Sequence, residues 1–424
     1  MSRPRAAIVV TGSELVRGDR TDRNGPFYAR EALRLGLEPA RITIVGDAPA
    51  ELEEALREGM RADVCLISGG LGPTHDDRTV ELVARAAGVP LVLDVELERE
   101  IEAVSRTVAE RLRRPYGDFA PGVTKQATRP EGSRSLGLAG TAPGLVLRTA
   151  SGCVVVVLPG PPAELQRLWP RALETEELAG LLVRTRPPGR RVLRLFGVSE
   201  SAVARALAEA GGDGDGVEAT ICARDFEIHV DLLVEPGADA RADALEAALT
   251  APLERWLYGR DERPVEELVL SLLRARGLQI ATAESCTGGL VAARLTSVPG
   301  SSDVVLGGIV AYANAVKTCS LGVSEQLLAT HGAVSPEAAQ AMARGARERL
   351  GADVAVAVTG IAGPGGGTPE KPVGLVYLHA EGPDGGLGRE LSLPGDRATT
   401  RARSAVAALH LVRRLLTRSP DEDV

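Results

Sequence analysis

The chain has 424 residues, 44% of them hydrophobic, 25% charged and only 3% aromatic, with a formal net charge of −8. This length predicts two to four domains with aliphatic cores, and the acidic balance (pI about 5.4) excludes broad, sequence-independent nucleic-acid binding, which rests on many Lys and Arg contacts to phosphate. Five scattered cysteines without a CxxC pair indicate neither a zinc site nor a disulfide framework and fit a reduced cytoplasmic setting, and the sequence holds neither a signal-peptide run nor the roughly 18 apolar residues of a membrane span.

The first part alternates strand and helix signals. A buried strand is predicted over 6–10 (AAIVV), a helix over 24–35, a strand over 41–45 and a helix over 49–61. A third strand over 63–67 (DVCLI) runs into SGGLGPT at 68–74, and a helix follows over 79–87. Residues 154–158 (VVVVL) form a further strand ending in PGPP at 159–162. Such alternation predicts a parallel sheet covered on both faces, with ligands beyond the carboxyl ends of its strands. Gly69, Gly70 and Gly72 suit a backbone cradle for phosphate or pyrophosphate, with Thr74 beside them. Asp76 and Asp77 read either as oxygen ligands for a hard cation such as Mg²⁺ or as caps of the next helix.

The middle reads differently. A strand over 192–196, a helix over 199–210 and the turn GGDGDG at 211–216 lead into an alternating hairpin, 217–222 and 227–234, and then a helix over 238–257. This is a small α+β unit between linkers at 186–190 and 258–264.

A third, α/β unit begins at Val265 with an amphipathic helix over 265–276. A strand over 278–283 feeds AESCTGG at 283–289, and a helix restarts over 287–295. An apolar, partly extended stretch covers 304–311, and a helix over 336–350 has Ser335 as its N-cap. A buried strand over 353–358 feeds TGIAGP at 359–364, a further strand covers 373–380, and a long helix closes the unit over 397–416.

Ser285 stands between a strand and two glycines, where a hydroxyl is exposed on a tight turn and the helix start behind it offers open N–H groups for an oxyanion or phosphate. A hydroxyl needs a base to become a nucleophile. The five histidines are isolated, so Lys317 is the best base in this unit, with only Lys371 competing. A lysine does this work when burial keeps it neutral. Tyr312, five residues earlier, is placed to relay or orient a proton. Ser285 taken alone also reads as a helix cap, and Cys286 is a rival nucleophile or a buried apolar residue.

These segments resemble a known family. TAESCTGG at 282–289, PGSS at 299–302, GGIVAYANAVK at 307–317, TGIAGPGGG at 359–367, KPVG at 371–374 and PGDR at 394–397 are similar to the nicotinamide mononucleotide deamidase, the CinA C-terminal domain. The resemblance implies hydrolysis of the carboxamide of nicotinamide mononucleotide to nicotinic acid mononucleotide and ammonia, without a cofactor. It places the nucleophile on Ser285, the lysine on Lys317 and the tyrosine on Tyr312. Thr287, Gly288, Ser302, Asn314, Thr359 and Gly360 fall among substrate-binding positions. Arg397 and Arg401, four apart on one helix face, are candidates for the 5′-phosphate.

The first part resembles the molybdopterin-binding fold as found at the N-terminus of CinA proteins. TGSEL at 11–15, Gly18, Asn24, the glycine-rich turn, GTAPG at 140–144 and LPGPPAEL at 158–165 carry the likeness. It implies ADP-ribose pyrophosphatase activity dependent on a divalent metal, with Asp47 and Asp77 at the fold's functional carboxylates. Two departures stand out: Ser13 follows Gly12 where the family has threonine, and Asp22-Arg23-Asn24 replaces Asn-Thr-Asn. The expected architecture is therefore a molybdopterin-binding-like three-layer domain (1–175), a small α+β connector (186–258) and an α/β deamidase domain (264–418). The resemblance further implies a cytoplasmic homodimer that meets small-molecule nucleotides, not nucleic acid or membrane. The alternatives are a non-catalytic competence or DNA-damage partner protein and a molybdopterin-binding protein.

Overall fold

Four parallel strands organise the first part of the chain, seen in a computed structural model that describes residues 3–418. Residues 1 and 2 of the expected first domain lie outside the described residues. The strands are β1 (Arg5–Thr11), β2 (Glu38–Val45), β3 (Val64–Ser68) and, after the antiparallel pair β4 (Arg134–Leu138) and β5 (Pro143–Arg148), β6 (Val154–Leu158). Their order is β2-β1-β3-β6-β5-β4. Every residue of β3 and β6 is buried, which is why both read as unbroken apolar runs.

Alternate residues of these strands face opposite layers. Ile8, Val10, Leu66 and Val156 pack against Tyr28, Leu168 and Trp169, whereas Val9, Ile67 and Val157 pack against Leu52, Leu56 and Leu82. The helices that supply these side chains are α1 (Asn24–Arg34), α2 (Pro49–Gly59), α3 (Thr79–Ala87) and, past α4 (Val95–Leu112) and α5 (Ala120–Ala127), α6 (Pro162–Leu173). The core is aliphatic apart from one cluster, in which the Tyr28 and Trp169 rings meet edge-on at 5.5 Å. Truncating Trp169 to Ala there costs about 3–5 kcal/mol. Sequence patterning does not announce α4, because its buried stripe is only Leu97, Ile101, Ser105 and Ala109 in an otherwise charged helix.

The chain divides into two compact units, one running to Gly189 and including Glu235–Gly237, the other made of Arg190–Val234 and Ala238 onward. The second unit carries two sheets. The smaller consists of β7 (Gly189–Phe196), β8 (Val217–Arg224), β9 (Glu227–Val234) and β10 (Leu257–Gly259) in the order β8-β9-β7-β10, with α7 (Glu200–Glu209) and α8 (Asp239–Thr250) beside it. The helix expected over 238–257 stops at Thr250, and a 3₁₀ turn containing Pro252 follows, since proline cannot donate to the helical ladder.

The larger sheet holds β11 (Ile280–Glu284), β12 (Val305–Val310), β13 (Val354–Gly360), β14 (Leu375–Gly382) and β15 (Gly385–Ser392) in the order β12-β11-β13-β14-β15. Its helices are α9 (Val265–Arg276), α10 (Leu290–Thr296), α11 (Asn314–Leu321), α12 (Glu325–His331), α13 (Pro336–Leu350) and α14 (Arg397–Thr417). Ala281, Ala283, Ala355 and Ala357 face Ala343 and Ala346 of α13, so small side chains bring helix and sheet close. The opposite face, with Val354, Val356 and Val358, packs on α9 and α14. β11 pairs in parallel with both β12 and β13, so its carboxyl end is central. No helix among the described residues is long and apolar enough to cross a membrane.

Candidate active site

Ser285 leaves the carboxyl end of β11 with its N–H bonded to Val358 O at 2.9 Å. Lys317 is the fourth residue of α11, and helical side chains lean toward their own N-terminus. Its amine therefore reaches back into the sheet end. Lys317 Nζ donates to Ser285 Oγ at 3.1 Å, to Ala311 O at 2.8 Å and to Tyr312 O at 3.2 Å. The side chain is 1% exposed, and no carboxylate accompanies it among the described residues. Burial lowers its pKa from the ordinary 10.5, against a smaller upward pull from Cys286.

The three neighbours suit both protonation states. An ammonium donates to all three. A neutral amine gives its two N–H bonds to the carbonyls, which can only accept, and turns its lone pair to the serine hydroxyl, which can donate. Proton transfer from serine to lysine thus needs no rearrangement of the cradle.

The turn after Ser285 is held from two sides. Glu284, 1% exposed, accepts from the N–H groups of Gly289 (2.9 Å), Val291 (3.1 Å) and Ala292 (2.9 Å). The helix start expected to stay open for an anion is therefore filled by the protein's own carboxylate, because a buried charge must find donors and this helix end supplies three. The N–H groups of Cys286 and Thr287 are different: they donate to no oxygen among the described residues and meet only the Cys286 sulfur, a weak acceptor. From the other side, Arg401 donates through Nε to Cys286 O at 3.0 Å and through Nη2 to Thr287 O at 2.7 Å. Gly288 sits at φ +60 in this turn, a conformation open to glycine without strain. Burial pushes the Cys286 thiol up to about 11, which keeps it protonated and a poor rival to Ser285.

Several expected roles change. Arg401 is committed to backbone carbonyls rather than left for a phosphate. Arg397 donates to Gly363 O at 2.9 Å and to the Tyr312 hydroxyl at 2.8 Å, and its exposed position leaves it able to meet an anion. The Tyr312 phenol is 61% exposed and turned to Arg397, so the residue reaches Lys317 through its carbonyl and not through a relaying hydroxyl. The Thr359 hydroxyl donates to Ala333 O at 2.6 Å and tethers that loop instead of facing a substrate. Gly360 is needed for close approach, since a Cβ there would lie 2.7 Å from Leu375 O. Asn314 opens α11 with its side chain exposed. Ser302 precedes β12, whose Val305 pairs with Ile280 at the start of β11, so it lies at the opposite end of the sheet from Ser285. Thr287 is fully buried, and its hydroxyl has no hydrogen-bond partner among the described residues. Lys371 donates to His331 O and Val334 O, which removes it as a competing base.

In the first unit the carboxyl ends of β1, β2, β3 and β6 come together. Buried Asn24 ties two of their turns, donating to Ser68 Oγ at 2.8 Å and Gly160 O at 2.7 Å. Gly69 and Gly70 have φ of +106 and +65, and a Cβ on Gly69 would lie 2.5 Å from Thr11 O. Asp22 accepts from the N–H groups of Asn24 and Gly25, so its charge occupies the α1 N-terminus. Asp47 spends both oxygens on Thr11 and Ser13, binding the TGS turn to the end of β2. Thr74 donates through its hydroxyl to Asp76 and Asp77, and Lys125 of α5, which sequence reasoning missed, donates to Thr74 O. No group of three or more His, Cys, Asp or Glu side chains is arranged to hold a metal ion among the described residues, so Asp47 does not join Asp76 and Asp77 in one cage. A cavity of about 250 Å³ lies beside this loop, lined among others by Gly70, Gly72, Asp77, Lys125 and Gln126.

The CinA C-terminal domain matches residues 262–416, and the probable molybdopterin binding domain matches residues 7–176. A CinA-like protein from Mycobacterium avium is 47% identical over 97% of this chain and 98% of its own length. The chain belongs to the CinA-like family. A CinA-like protein from Mycobacterium leprae is likewise 47% identical over 97% of both chains. The crystal structure of competence/damage inducible protein CihA from Agrobacterium tumefaciens is 43% identical and covers 38% of this chain and 100% of its own, with a TM-score of 0.36. The family expected from the sequence motifs is thus the one found, with its α/β molybdopterin-binding-like and CinA C-terminal parts in the expected order. In this CinA-like chain, Ser285, Lys317, the Tyr312 carbonyl, Arg397 and Arg401 converge on one strand end, while Ser302 stands apart.

Proposed function

We propose that the second unit is an amidohydrolase that converts nicotinamide mononucleotide and water to nicotinic acid mononucleotide and ammonia. The observation that carries this reading is the 3.1 Å contact between Ser285 Oγ and a buried, counter-ion-free Lys317 amine. Neutral Lys317 takes the Ser285 proton as Oγ bonds to the carboxamide carbon. The resulting oxyanion would take the N–H groups of Cys286 and Thr287 from the Cys286 sulfur, a weak acceptor, and one such donor contributes about 3 kcal/mol to the transition state. Lys317 returns the proton to nitrogen, the C–N bond breaks and ammonia leaves. Water, deprotonated by the same amine, then cleaves the acyl-serine ester and regenerates the hydroxyl. Arg397, exposed beside Tyr312, is the group left to meet the 5′-phosphate. Ammonia release from nicotinamide mononucleotide, lost in Ser285→Ala, tests the proposal; full activity in that variant overturns the serine mechanism.

A second reading concerns the first unit, favoured by the cavity between the glycine turn and Lys125. It is a metal-dependent ADP-ribose pyrophosphatase yielding AMP and ribose 5-phosphate. Thr74, Asp76 and Asp77 form an all-oxygen set that fits a hard cation shared with substrate phosphates, a small cation such as Mg²⁺ usually taking only one or two carboxylates from protein. A bound cation would neutralise charge on the pyrophosphate. Lys125 and the glycine turn would hold its oxygens. Phosphate release after phosphatase treatment of ADP-ribose reactions, with and without added Mg²⁺, checks this reading.

A further inference from the structure

Away from the serine turn, the second unit buries a set of titratable groups that the proposed chemistry does not use. The hairpin joining β8 to β9 has a two-residue loop, Asp225 and Phe226, between the paired residues Arg224 and Glu227. Both loop residues have positive φ, 51 and 72, a backbone that favours glycine and is unusual for phenylalanine. Such a conformation persists where its surroundings hold it. Here the Phe226 ring meets Phe196 edge-on at 5.8 Å and lies 5.5 Å beneath the Arg403 guanidinium of α14.

The next residue completes the attachment. Glu227 is 6% exposed and accepts from His410 Nε2 of α14 at 2.6 Å and from His229 Nε2 at 3.3 Å. His410 is fully buried, stacks on Phe196 at 3.8 Å and 9°, and meets Tyr258 edge-on at 4.6 Å. Its Nδ1 has no partner among the described residues, so the neutral tautomer with the proton on Nε2 is the one that fits. The tip of the small sheet thus grips α14 at Arg403 and His410.

The same helix begins at the serine turn. Arg397 and Arg401 occupy its first turns, and Arg401 clamps the Cys286 and Thr287 carbonyls. His410 lies nine positions after Arg401, about 13.5 Å along a rigid rod. We infer that the Phe226–Glu227 hairpin tip positions α14 and, through it, holds Arg401 on the turn that carries Ser285. Glu227 and Phe226 are positioning residues; neither reaches the substrate. The inference rests on the hydrolase reading only for its effect on rate.

The test uses the full chain and reads two quantities: kcat and KM for ammonia release from nicotinamide mononucleotide, and amide hydrogen exchange across residues 284–295. Glu227→Ala removes the acceptor of His410 and is expected to lower kcat about tenfold with KM within about twofold, since a displaced catalytic turn costs turnover more than binding. Exchange across 284–295 is expected to quicken. Glu227→Gln keeps an oxygen for His410 Nε2–H and is expected to restore most of both. If Glu227→Ala fails to fold, Phe226→Ala, which buries no unpaired charge, is expected to move both readouts in the same direction by about threefold. Unchanged exchange across 284–295 in a folded Glu227→Ala or Phe226→Ala protein overturns the inference. A wild-type chain that releases no ammonia overturns the hydrolase reading instead, and the exchange measurement still decides whether the hairpin tip holds the turn.

Discussion

The turns at Ser68–Pro73 and Glu284–Gly289 begin alike, each leaving a buried parallel strand through consecutive glycines, yet they are finished by different partners. In the second unit a single amine from α11 is driven into the turn, where it meets one hydroxyl and two carbonyl oxygens. In the first unit the polar groups of the turn bond one another: Thr74 serves Asp76 and Asp77, Asp47 serves Ser13, and Asp22 fills the α1 N-terminus. A glycine-rich strand end therefore supplies room, and chemistry comes from what arrives to fill it. One turn presents a hydroxyl to a buried amine; the other is a loop lined by its own oxygens.

The largest expected effect separates the two. Ser285→Ala should abolish ammonia release by at least about 10³-fold while leaving any ADP-ribose cleavage untouched, because a lost nucleophile has no substitute. Lys317→Met should follow, with kcat down about 10²–10⁴-fold and little change in KM. In the wild type the rate should rise with pH along a limb whose midpoint lies below 10.5, since burial lowers the amine pKa and the neutral form is the base; a pH–rate profile checks this. Chelation should sharpen the contrast further. Removing divalent cations should stop pyrophosphate cleavage and leave deamidation unchanged, and Asp77→Asn should reduce cleavage more than Asp47→Asn, whose oxygens are already spent on Thr11 and Ser13. Loss of both activities on chelation would break the comparison.

Tyr312→Phe should have a small effect, a KM increase of at most about fivefold, because only the bond to Arg397 is lost and the carbonyl that cradles Lys317 remains. The last expected effect is on stability and rests on His410 and Glu227. Burial brings the His410 pKa down to about 4 from 6.5, against the pull of Glu227. Burial opposes ionisation of Glu227, but hydrogen bonds from His229 and His410 outweigh it and bring the pKa to about 2 from 4.5. Both are depressed in the folded chain. Their contribution is thus complete above pH 6.5, falls as pH drops through 4, and is lost altogether through 2. Each tenfold difference in proton affinity between the folded and unfolded chain is worth about 1.4 kcal/mol. Thermal unfolding followed at pH 7, 5 and 4 should show that fall, and Glu227→Gln, which removes the pull that holds the His410 pKa up, should steepen it between pH 6.5 and 4.

Much of this was legible in the residues. β3, β6 and β13 announce themselves as buried apolar runs, and Ser285, Lys317 and the glycine turns are visible as motifs because their chemistry demands particular residue types. What stayed hidden depends on direction rather than identity. Nothing in the string says that Tyr312 contributes a carbonyl, that Glu284 closes the helix start, or that Arg401 faces backbone while Arg397, four residues earlier, faces outward. Ser302 shares a motif with the site but sits at the wrong end of a strand, a distinction that register decides. α4 and β15 were missed for a different reason: one has a single-residue apolar stripe and the other is a mostly exposed, glycine-containing edge.

The amine of Lys317 is cradled by dipoles and, among the described residues, has no carboxylate for company. A base tuned by an ion pair changes its strength when dissolved ions weaken that pair, but carbonyl groups fixed in a backbone feel no such screening. The proton affinity of this lysine is therefore set by the walls around it, and a cell that concentrates or dilutes its electrolytes leaves the amine's tuning where the fold put it.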